Sequence, residues 1–434
     1  MGNCVAGENP ADGGDCSTRT RVAGCRMTLS TESESLETSR VSGTEYGLTT
    51  HFITGVTGFV GSHLTHRLLL EGDRVVTMVR ASNNEAARAR LLPVLEAIGS
   101  DRELPLDNLL VFAGDVTQTT DELVAGLRAV TDEHIDITWH SAVTFKFRKR
   151  DLAEIEAINI QGSRNMILTT LGLNGERERP RYMHVSTAYS SGRLQGTVPE
   201  RVVESTPDYR GLYEWSKHKV ELDMARIQNQ EGLDVTVLRP AIIVGCEDTR
   251  SVNHSGYYQV IGTMYKLFLM RRQKLGDAWD HRVPLRFEAN PAMRLNLVPI
   301  DYVIDSMVAL AARPELCNQE LKVFNLVNED APVMQDIVDV MEASLGISGL
   351  EMVDESVFAE RRMSAIEKVF SRAISFQAPY IKEDIRFETK RFRALVDKNE
   401  VPVPVLDAPA IRRLNYAYFD LIRPEIEASL SAAV

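Results

Sequence analysis

A doubly wound parallel α/β sheet with a smaller, partly helical C-terminal lobe is the fold this sequence predicts, on three observations. From Thr49 onward, short β-rich runs alternate with amphipathic segments, the pattern of a parallel sheet covered by helices on both faces. The first of these runs, ending at Thr54, passes directly into Gly55-Val56-Thr57-Gly58-Phe59-Val60-Gly61, where a strand would hand over to a helix. Much later, Tyr213 and Lys217 stand four residues apart, on one face of a predicted helix.

The elements follow in order. Candidate strands are Thr50 to Thr54, Arg74 to Val79, Leu109 to Ala113, Ile135 to Trp139, Tyr182 to Ser186 and Val235 to Leu238. Helices are expected near Phe59 to Glu71, Glu85 to Ile98, Asp121 to Ala129, Asp151 to Leu171 and Tyr213 to Gln230. After Pro240 the alternation loosens. Tyr257 to Arg272 reads as a helix, Val323 to Leu326 as a strand and Met334 to Leu345 as a helix; a helical stretch from Ser356 to Arg372 and a last helix around Ala410 to Ile422 complete the chain.

Composition narrows the function. The 434 residues, 44% of them hydrophobic, suffice for a large core, which excludes a small binding module. A net charge of −12, with basic residues scattered apart from Phe145-Lys146-Phe147-Arg148-Lys149-Arg150, argues against nucleic-acid binding. That short run reads as a solvated loop or a local anion contact. Cys4, Cys16, Cys25, Cys246 and Cys317 form neither a metal spacing nor a disulfide framework, which fits a reducing cytoplasm. No run reaches the roughly 18 apolar residues of a membrane span. Residues 1 to 46, rich in Ser, Thr, Gly and Glu without hydrophobic periodicity, are expected to be disordered, and Met27 is a second candidate start. Met1-Gly2-Asn3-Cys4 is close to a lipidation signal, but Ala6 stands where that motif wants Ser or Thr.

The glycine run does what a pyrophosphate site needs: Gly55, Gly58 and Gly61 allow a tight turn, a close backbone approach and close helix packing. The helix start, through Thr57, Phe59 and Val60, offers N–H groups to an anion. At the end of the second strand, where an NAD site usually places Asp or Glu, stands Val79-Arg80-Ala81. A guanidinium there suits the 2′-phosphate of NADP(H), and Arg90 is a candidate second cation; a solvated helix face is the competing reading for Arg90 and the stronger one for Arg88. Asp115 and Val116 close the third strand, near the adenine, and Ser141 and Ala142 close the fourth, near the pyrophosphate. His140 reads as a packed structural histidine. The fifth strand delivers Ser186 and Thr187 to the crevice. Thr187 is the candidate to hold a substrate carbonyl, with Ser186 as the fallback. Tyr213 is the candidate proton donor, and an ammonium at Lys217 would favour its phenolate.

These residues carry a resemblance. Thr54-Gly55-x-x-Gly58-x-x-Gly61, Tyr213-x-x-Ser216-Lys217-x-x-x-Glu221 and Arg239-Pro240-x-x-Ile243-x-Gly245 resemble the extended short-chain dehydrogenase/reductase superfamily, whose fold is of the Rossmann type. Within it, His140 to Phe145, Asn159-Ile-Gln-Gly162-Ser163, His184 to Tyr189 and Leu297 to Tyr302 resemble the male-sterility-type branch of fatty acyl-CoA and carrier-protein thioester reductases. Val79 to Leu91 is similar to the NADP-binding segment of carboxylic acid reductases, and Phe376 to Phe392 to the C-terminal region of acyl-CoA reductases.

The resemblance implies an NADPH-dependent oxidoreductase of lipid metabolism that reduces an acyl thioester, presented by CoA or a carrier protein, to an aldehyde or alcohol. Thr187 would polarise the carbonyl, Tyr213 would act as general acid, and Lys217 would hold the nicotinamide ribose, with Pro240 and Ile243 beside it. Asn159 would hold the loops of the site. It also implies an NAD(P)-binding domain over 47–330, with substrate-lobe sequence from about 240, and a mostly helical region over 331–434. Tyr257 to Met270, with Val260, Ile261, Met264, Leu267 and Phe268, is a candidate wall for an acyl chain, although simple core is the competing reading. A sterol-type carbonyl dehydrogenase, a sugar-nucleotide epimerase or dehydratase, and a non-catalytic nucleotide sensor are the alternatives.

Overall fold

Alternation within each strand decides how the sheet is buried. In Thr50–Thr54 (β1), Ile53 packs on one face and Phe52 on the other, and in Arg74–Val79 (β2) Val75 and Val79 face the first side while Val76 and Met78 face the second. Both faces are therefore apolar, so helices must cover both. The protein is described from a computed structural model over residues 48–99, 102–146, 148–175, 179–245 and 255–431. The disorder expected of residues 1–46 lies outside the described residues.

With Leu109–Ala113 (β3), Ile137–His140 (β4), Arg181–Val185 (β5), Val235–Pro240 (β6) and Leu321–Leu326 (β7), the sheet runs β7-β6-β5-β4-β1-β2-β3, parallel throughout. The order reverses between β1 and β4, and a crevice opens at the carboxyl ends of those two strands, where open α/β sheets bind ligands. Helices Phe59–Glu71, Asn84–Glu96 and Ile300–Ala311 contribute to the core on one face; Thr120–Arg128, Gly162–Gly172 and Leu212–Glu231 contribute to the other. Complete burial of Phe52 in that second core contributes about 1.5–3 kcal/mol.

A separate apolar core builds the C-terminal lobe from Tyr257–Leu275, Met334–Leu345, Ala365–Ala373, Ala408–Ser431 and the strand Arg282–Glu288, which pairs in parallel with Ser348–Val353. Among the described residues no helix is long and apolar enough to cross a membrane.

Two expected helices are interrupted. The Asp151 to Leu171 segment passes through wider π-helical turns at Glu156–Gln161, where Asn159 turns its amide to the loop after β4. The Ser356 to Arg372 segment is two helices, Glu355–Glu360 and Ala365–Ala373, because Ser364 and Glu367 form a reciprocal capping box that starts the second one afresh.

Candidate active site

The glycine turn is set by contact as much as by conformation. Gly55 has φ +77°, and a Cβ there would lie 2.5 Å from Ala142 N; a Cβ on Gly61 would lie 2.4 Å from Gly55 O. β1, the loop after β4 and the helix start thus meet at backbone distance. No side chain caps the Phe59–Glu71 helix, so its first N–H groups remain for a ligand, and Gly55, Thr57, Gly58, Phe59, Val60 and Gly61 all line one cavity of about 650 Å³.

That cavity gathers the other candidates. Arg80 and Arg90 stand at one end, with Asp115 and Val116 beside them; Ser141 and Ala142 form the floor; Pro240 and Ile243 lie beyond. The Arg80 guanidinium, 67% exposed, approaches Asp115 at 3.8 Å, and Arg90 Nη1 donates to Arg80 O at 2.7 Å. Arg90 thus steadies the loop that presents Arg80. Arg88 instead donates to Leu109 O at 3.0 Å and ties its helix to β3. This arrangement fits a dinucleotide: an open helix start for pyrophosphate and a solvent-facing guanidinium at the end of β2.

Thr187, Tyr213 and Lys217 line the same cavity. Thr187 precedes the turn Ala188–Ser191, and Tyr213 and Lys217 occupy the first turns of the Leu212–Glu231 helix. The Ser186 hydroxyl donates to Glu221 Oε1 at 2.5 Å, so its proton is committed and Thr187 is the better placed of the two hydroxyls. Glu221 is itself fully buried in a two-point pair with Arg239, whose Nε lies at 3.0 Å. Burial would raise the Glu221 carboxyl, but the guanidinium and the Ser186 hydroxyl outweigh it and hold it below the usual carboxylate range. The sequence reading assigned this pair no role; its buried charge fixes the Leu212–Glu231 helix against β5 and β6.

Lys217 Nζ donates to Val185 O at 2.7 Å, and burial pulls its ammonium down to about 8 against the attraction of Glu221. The Tyr213 hydroxyl differs from expectation. Burial, with Glu214 adding, pushes it above the ordinary phenol range, so Lys217 does not bring it toward neutrality. Tyr213 is therefore protonated at pH 7. The Phe145 ring lies 5.3 Å from the Tyr213 ring at the cavity wall.

Asn159 makes the bonds of a clamp. Its Oδ1 accepts from Thr144 N at 2.8 Å, and its Nδ2 donates to Thr144 O and to Ser216 Oγ, both at 3.1 Å, which joins the loop after β4 to the helix carrying Tyr213. His140 is fully buried between Thr54 Oγ1 at 2.7 Å and Ser163 Oγ at 3.0 Å. Because Ser163 donates to Asn159 O, His140 Nε2 carries the proton and Nδ1 accepts from Thr54. Burial, with the Lys217 charge adding, lowers its imidazole to about 3 and keeps it neutral.

Past Thr187, Tyr213 and Lys217 the cavity continues into the C-terminal lobe. Val260, Ile261 and Met264 line it as the sequence suggested, opposite Leu295, Met334, Ile337, Val338 and Met341. Leu267 and Phe268 do not line it; they are buried in the lobe core, where helical spacing places them one or two turns away from the opening. Phe376, Gln377, Tyr380 and Ile381 close the far side. None of these four was singled out as a site residue, and only the aromatic-rich stretch from Phe376 pointed toward them.

Comparison with known proteins bears on the family and the fold. The family described as "Male sterility protein" matches residues 53–307. The chain is 28% identical over 208 residues to sterol demethylase protein B of Methylococcus capsulatus, covering 46% of this chain and 53% of that one. It spans about half or less of the length of the first curated relatives it matches. Among solved structures it resembles the terminal R domain of the myxalamid PKS-NRPS pathway, with TM-score 0.67, 21% identity and coverage of 87% of this chain and 92% of that one. It also resembles the thiolation-reductase di-domain of an archaeal non-ribosomal peptide synthetase, with TM-score 0.65, 19% identity and coverage of 87% and 76%. With a parallel Rossmann-type sheet, an open helix start and a family match over more than half its length, the chain belongs to the male sterility protein family of NAD(P)-binding extended short-chain dehydrogenases/reductases.

Proposed function

We propose that the protein is an NADPH-dependent reductase of an acyl thioester, releasing an aldehyde and a free thiol, with a second reduction to the alcohol available to the same site. The observation that carries this reading is the continuity of one cavity from the glycine turn, past Thr187, Tyr213 and Lys217, into a chamber walled by Met264, Met334 and Met341. A hydride site that opens onto an apolar chamber suits a carbonyl at the end of an aliphatic group. Arg80, with no acidic residue in its place, supports the phosphorylated cofactor, and the resemblance to a thiolation-reductase di-domain supports a thioester.

Held along the glycine turn, a nicotinamide cofactor would supply the hydride. The Thr187 hydroxyl would donate to the thioester carbonyl oxygen and orient its carbon for reduction. Tyr213, protonated at neutral pH, gives its proton to that oxygen as negative charge develops there. Lys217 would hold the nicotinamide ribose, and its ammonium remains charged below about pH 8. Hydride and proton together convert the thioester to a hemithioacetal. This loses the thiol, as the C–S bond breaks and the hydroxyl proton passes to sulfur, and leaves the aldehyde.

A sterol-type carbonyl dehydrogenase is the second reading, favoured by the match to sterol demethylase protein B and by the same apolar chamber. Incubation with NADPH and a panel of acyl-CoAs, acyl-carrier proteins, ketones and aldehydes separates the two. Thioester reduction releases one thiol for each first hydride consumed. Oxidation of NADPH by simple carbonyls alone, with no thiol from any thioester, would overturn the first reading.

A further inference from the structure

Thr187 and Tyr213 line one cavity but stand on different elements, so whatever joins those elements decides how the two hydroxyls are placed. Toward the sheet they are joined already. Ser186 and Arg239 bond to Glu221, and Lys217 bonds to Val185 O, which holds the body of the Leu212–Glu231 helix against β5 and β6. Away from the sheet lie the turn Ala188–Ser191, which runs on from Thr187, and the segment that leads into Tyr213. These two ends meet at Arg210.

The Arg210 side chain is only 2% exposed, shortly before the helix that begins at Leu212. Its Nη1 donates to Gly192 O at 2.7 Å, at the end of the turn, and approaches Glu214 Oε1 at 3.4 Å, on the residue next to Tyr213. Glu214 Oε2 accepts from Arg210 N at 2.9 Å, which closes the pair against the helix start. Arg210 Nη2 donates to Glu383 Oε2 at 2.5 Å, just past Tyr380 and Ile381 of the cavity wall, and Arg193 bonds to the other oxygen of Glu383. The guanidinium also lies 5.9 Å from the centroid of the Tyr380 ring. Gly192 itself has φ +57°, and a Cβ there would lie 2.3 Å from Asp208 O, so the turn is seated on backbone of the segment entering the helix.

One planar fork thus bonds the turn after Thr187, the helix start at Tyr213 and the segment walling the chamber. Fastening alone does not call for it: buried ion pairs add little stability over apolar residues of similar volume, whereas a guanidinium fixes the directions of its partners. We propose that Arg210 is a positioning residue, which sets the turn after Thr187 against the helix start at Tyr213, and that Glu383 holds its fork in that setting. That both hydroxyls serve a single carbonyl rests on the function proposed above; the junction at Arg210 rests on its own bonds.

The test compares wild type with Arg210→Lys, which keeps the charge and loses the fork, and with Glu383→Gln, at a side chain 35% exposed. Turnover of octanoyl-CoA and of octanal is measured with NADPH and divided by the number of NADPH sites titrated, so that unfolded protein does not count. Arg210→Lys lowers kcat per site about 10²-fold, the cost of roughly 1 Å of misplacement, while KM for each substrate stays within about twofold. Glu383→Gln lowers it less, and the double variant falls no further than Arg210→Lys, because the two act through one fork. In crystal structures with NADPH bound, the separation of Thr187 Oγ1 and Tyr213 Oη differs between wild type and Arg210→Lys by roughly 1 Å, and in the same direction for Glu383→Gln. A kcat per site equal to wild type overturns the proposal. So does an unchanged separation of the two hydroxyls, even if neither substrate is reduced. Where Arg210→Lys does not fold, Glu383→Gln carries both readings. Reduction of octanal without thiol release from octanoyl-CoA would instead remove the acyl-thioester reading and leave this result standing.

Discussion

The two ends of the cavity are built by different means. At the glycine turn the site consists of backbone held at contact distance, with Gly55 against Ala142 and Gly61 against Gly55, and it draws on the ends of β1, β2, β3 and β4. In the chamber the wall consists of side chains from Tyr257–Leu275, Met334–Leu345 and the turn after Ala365–Ala373, segments separated by tens of residues. The comparison teaches where change is tolerated. A backbone-built site fails on one added methyl group, whereas a side-chain-built wall can be reshaped within the limits of its core.

The strongest way to sharpen the contrast is at the point where the two ends meet. Tyr213→Phe removes only a hydroxyl and should lower turnover by roughly 10²–10⁴, the range for a general acid, while cofactor affinity measured by titration survives. Near-normal turnover would assign the proton to another group.

Next in size is the backbone-built end itself. Gly55→Ala places a methyl 2.5 Å from Ala142 N at a positive φ, and overpacking together with left-handed strain should cost about 2–4 kcal/mol, read as a fall in melting temperature with loss of dinucleotide binding. An unchanged melting temperature would show that the turn has room to move. At the rim of the same end, Arg80→Ala should weaken NADPH by about 1.5–3 kcal/mol, the range for a hydrogen bond to a charged group, and leave NADH almost untouched. The exposure of Arg80 places the expected loss at the low end of that range. Equal losses for both cofactors would mean that the side chain only supports the fold.

Val260→Phe tests the side-chain-built end. Val260 is only partly buried and faces the cavity, so the larger ring narrows the chamber without displacing the lobe core. Long-chain thioesters should lose about tenfold in kcat/KM, the scale of a few methylenes in an apolar pocket, while short chains keep their rates. A uniform loss across chain lengths would place the acyl group elsewhere.

The last effect is confined to a pH window and concerns a tie between the sheet and the C-terminal segment. The Glu200 carboxylate accepts from Asn325 N on β7 and from the N–H groups of Arg391 and Phe392 at the start of Lys390–Leu395. Burial raises its carboxyl from 4.5 to about 7 despite those donors. With the folded value above the unfolded one, the contribution is complete below about pH 4.5 and is lost as pH rises through about 7. Glu200→Gln should flatten that part of the curve of unfolding free energy against pH; an identical slope in both proteins would assign it to other groups.

The same contrast explains how much was legible in the sequence. β1, β2, β3 and the Phe59–Glu71 helix fall at the expected residues because strand and helix signals there are local and uninterrupted. Arg80, Asp115, Thr187, Tyr213 and Lys217 could be singled out because short motifs at strand and helix ends bring them to one crevice. The Ile300–Ala311 helix was readable too, since Asp301, Asp305 and Val308 form a less buried stripe at helical spacing opposite a buried apolar face, and that spacing was overlooked. The break before Ala365 was readable in Ser364 and Glu367, whose capping-box spacing was overlooked. The pairing of Arg210 with Glu383 was not readable at all, since only tertiary packing brings residues 173 positions apart into contact.

The claim that one cavity carries a hydride from dinucleotide to thioester is tested most directly by isotope transfer. NADPH deuterated at both C4 positions is incubated with the protein and a long-chain acyl thioester, and the products are analysed by mass spectrometry alongside a thiol assay. The account predicts one deuterium on the former carbonyl carbon of each aldehyde, two where the alcohol forms, and one thiol per acyl group reduced. Cofactor oxidation without deuterium on that carbon, or deuterium appearing only in products of added ketones or aldehydes, would contradict it.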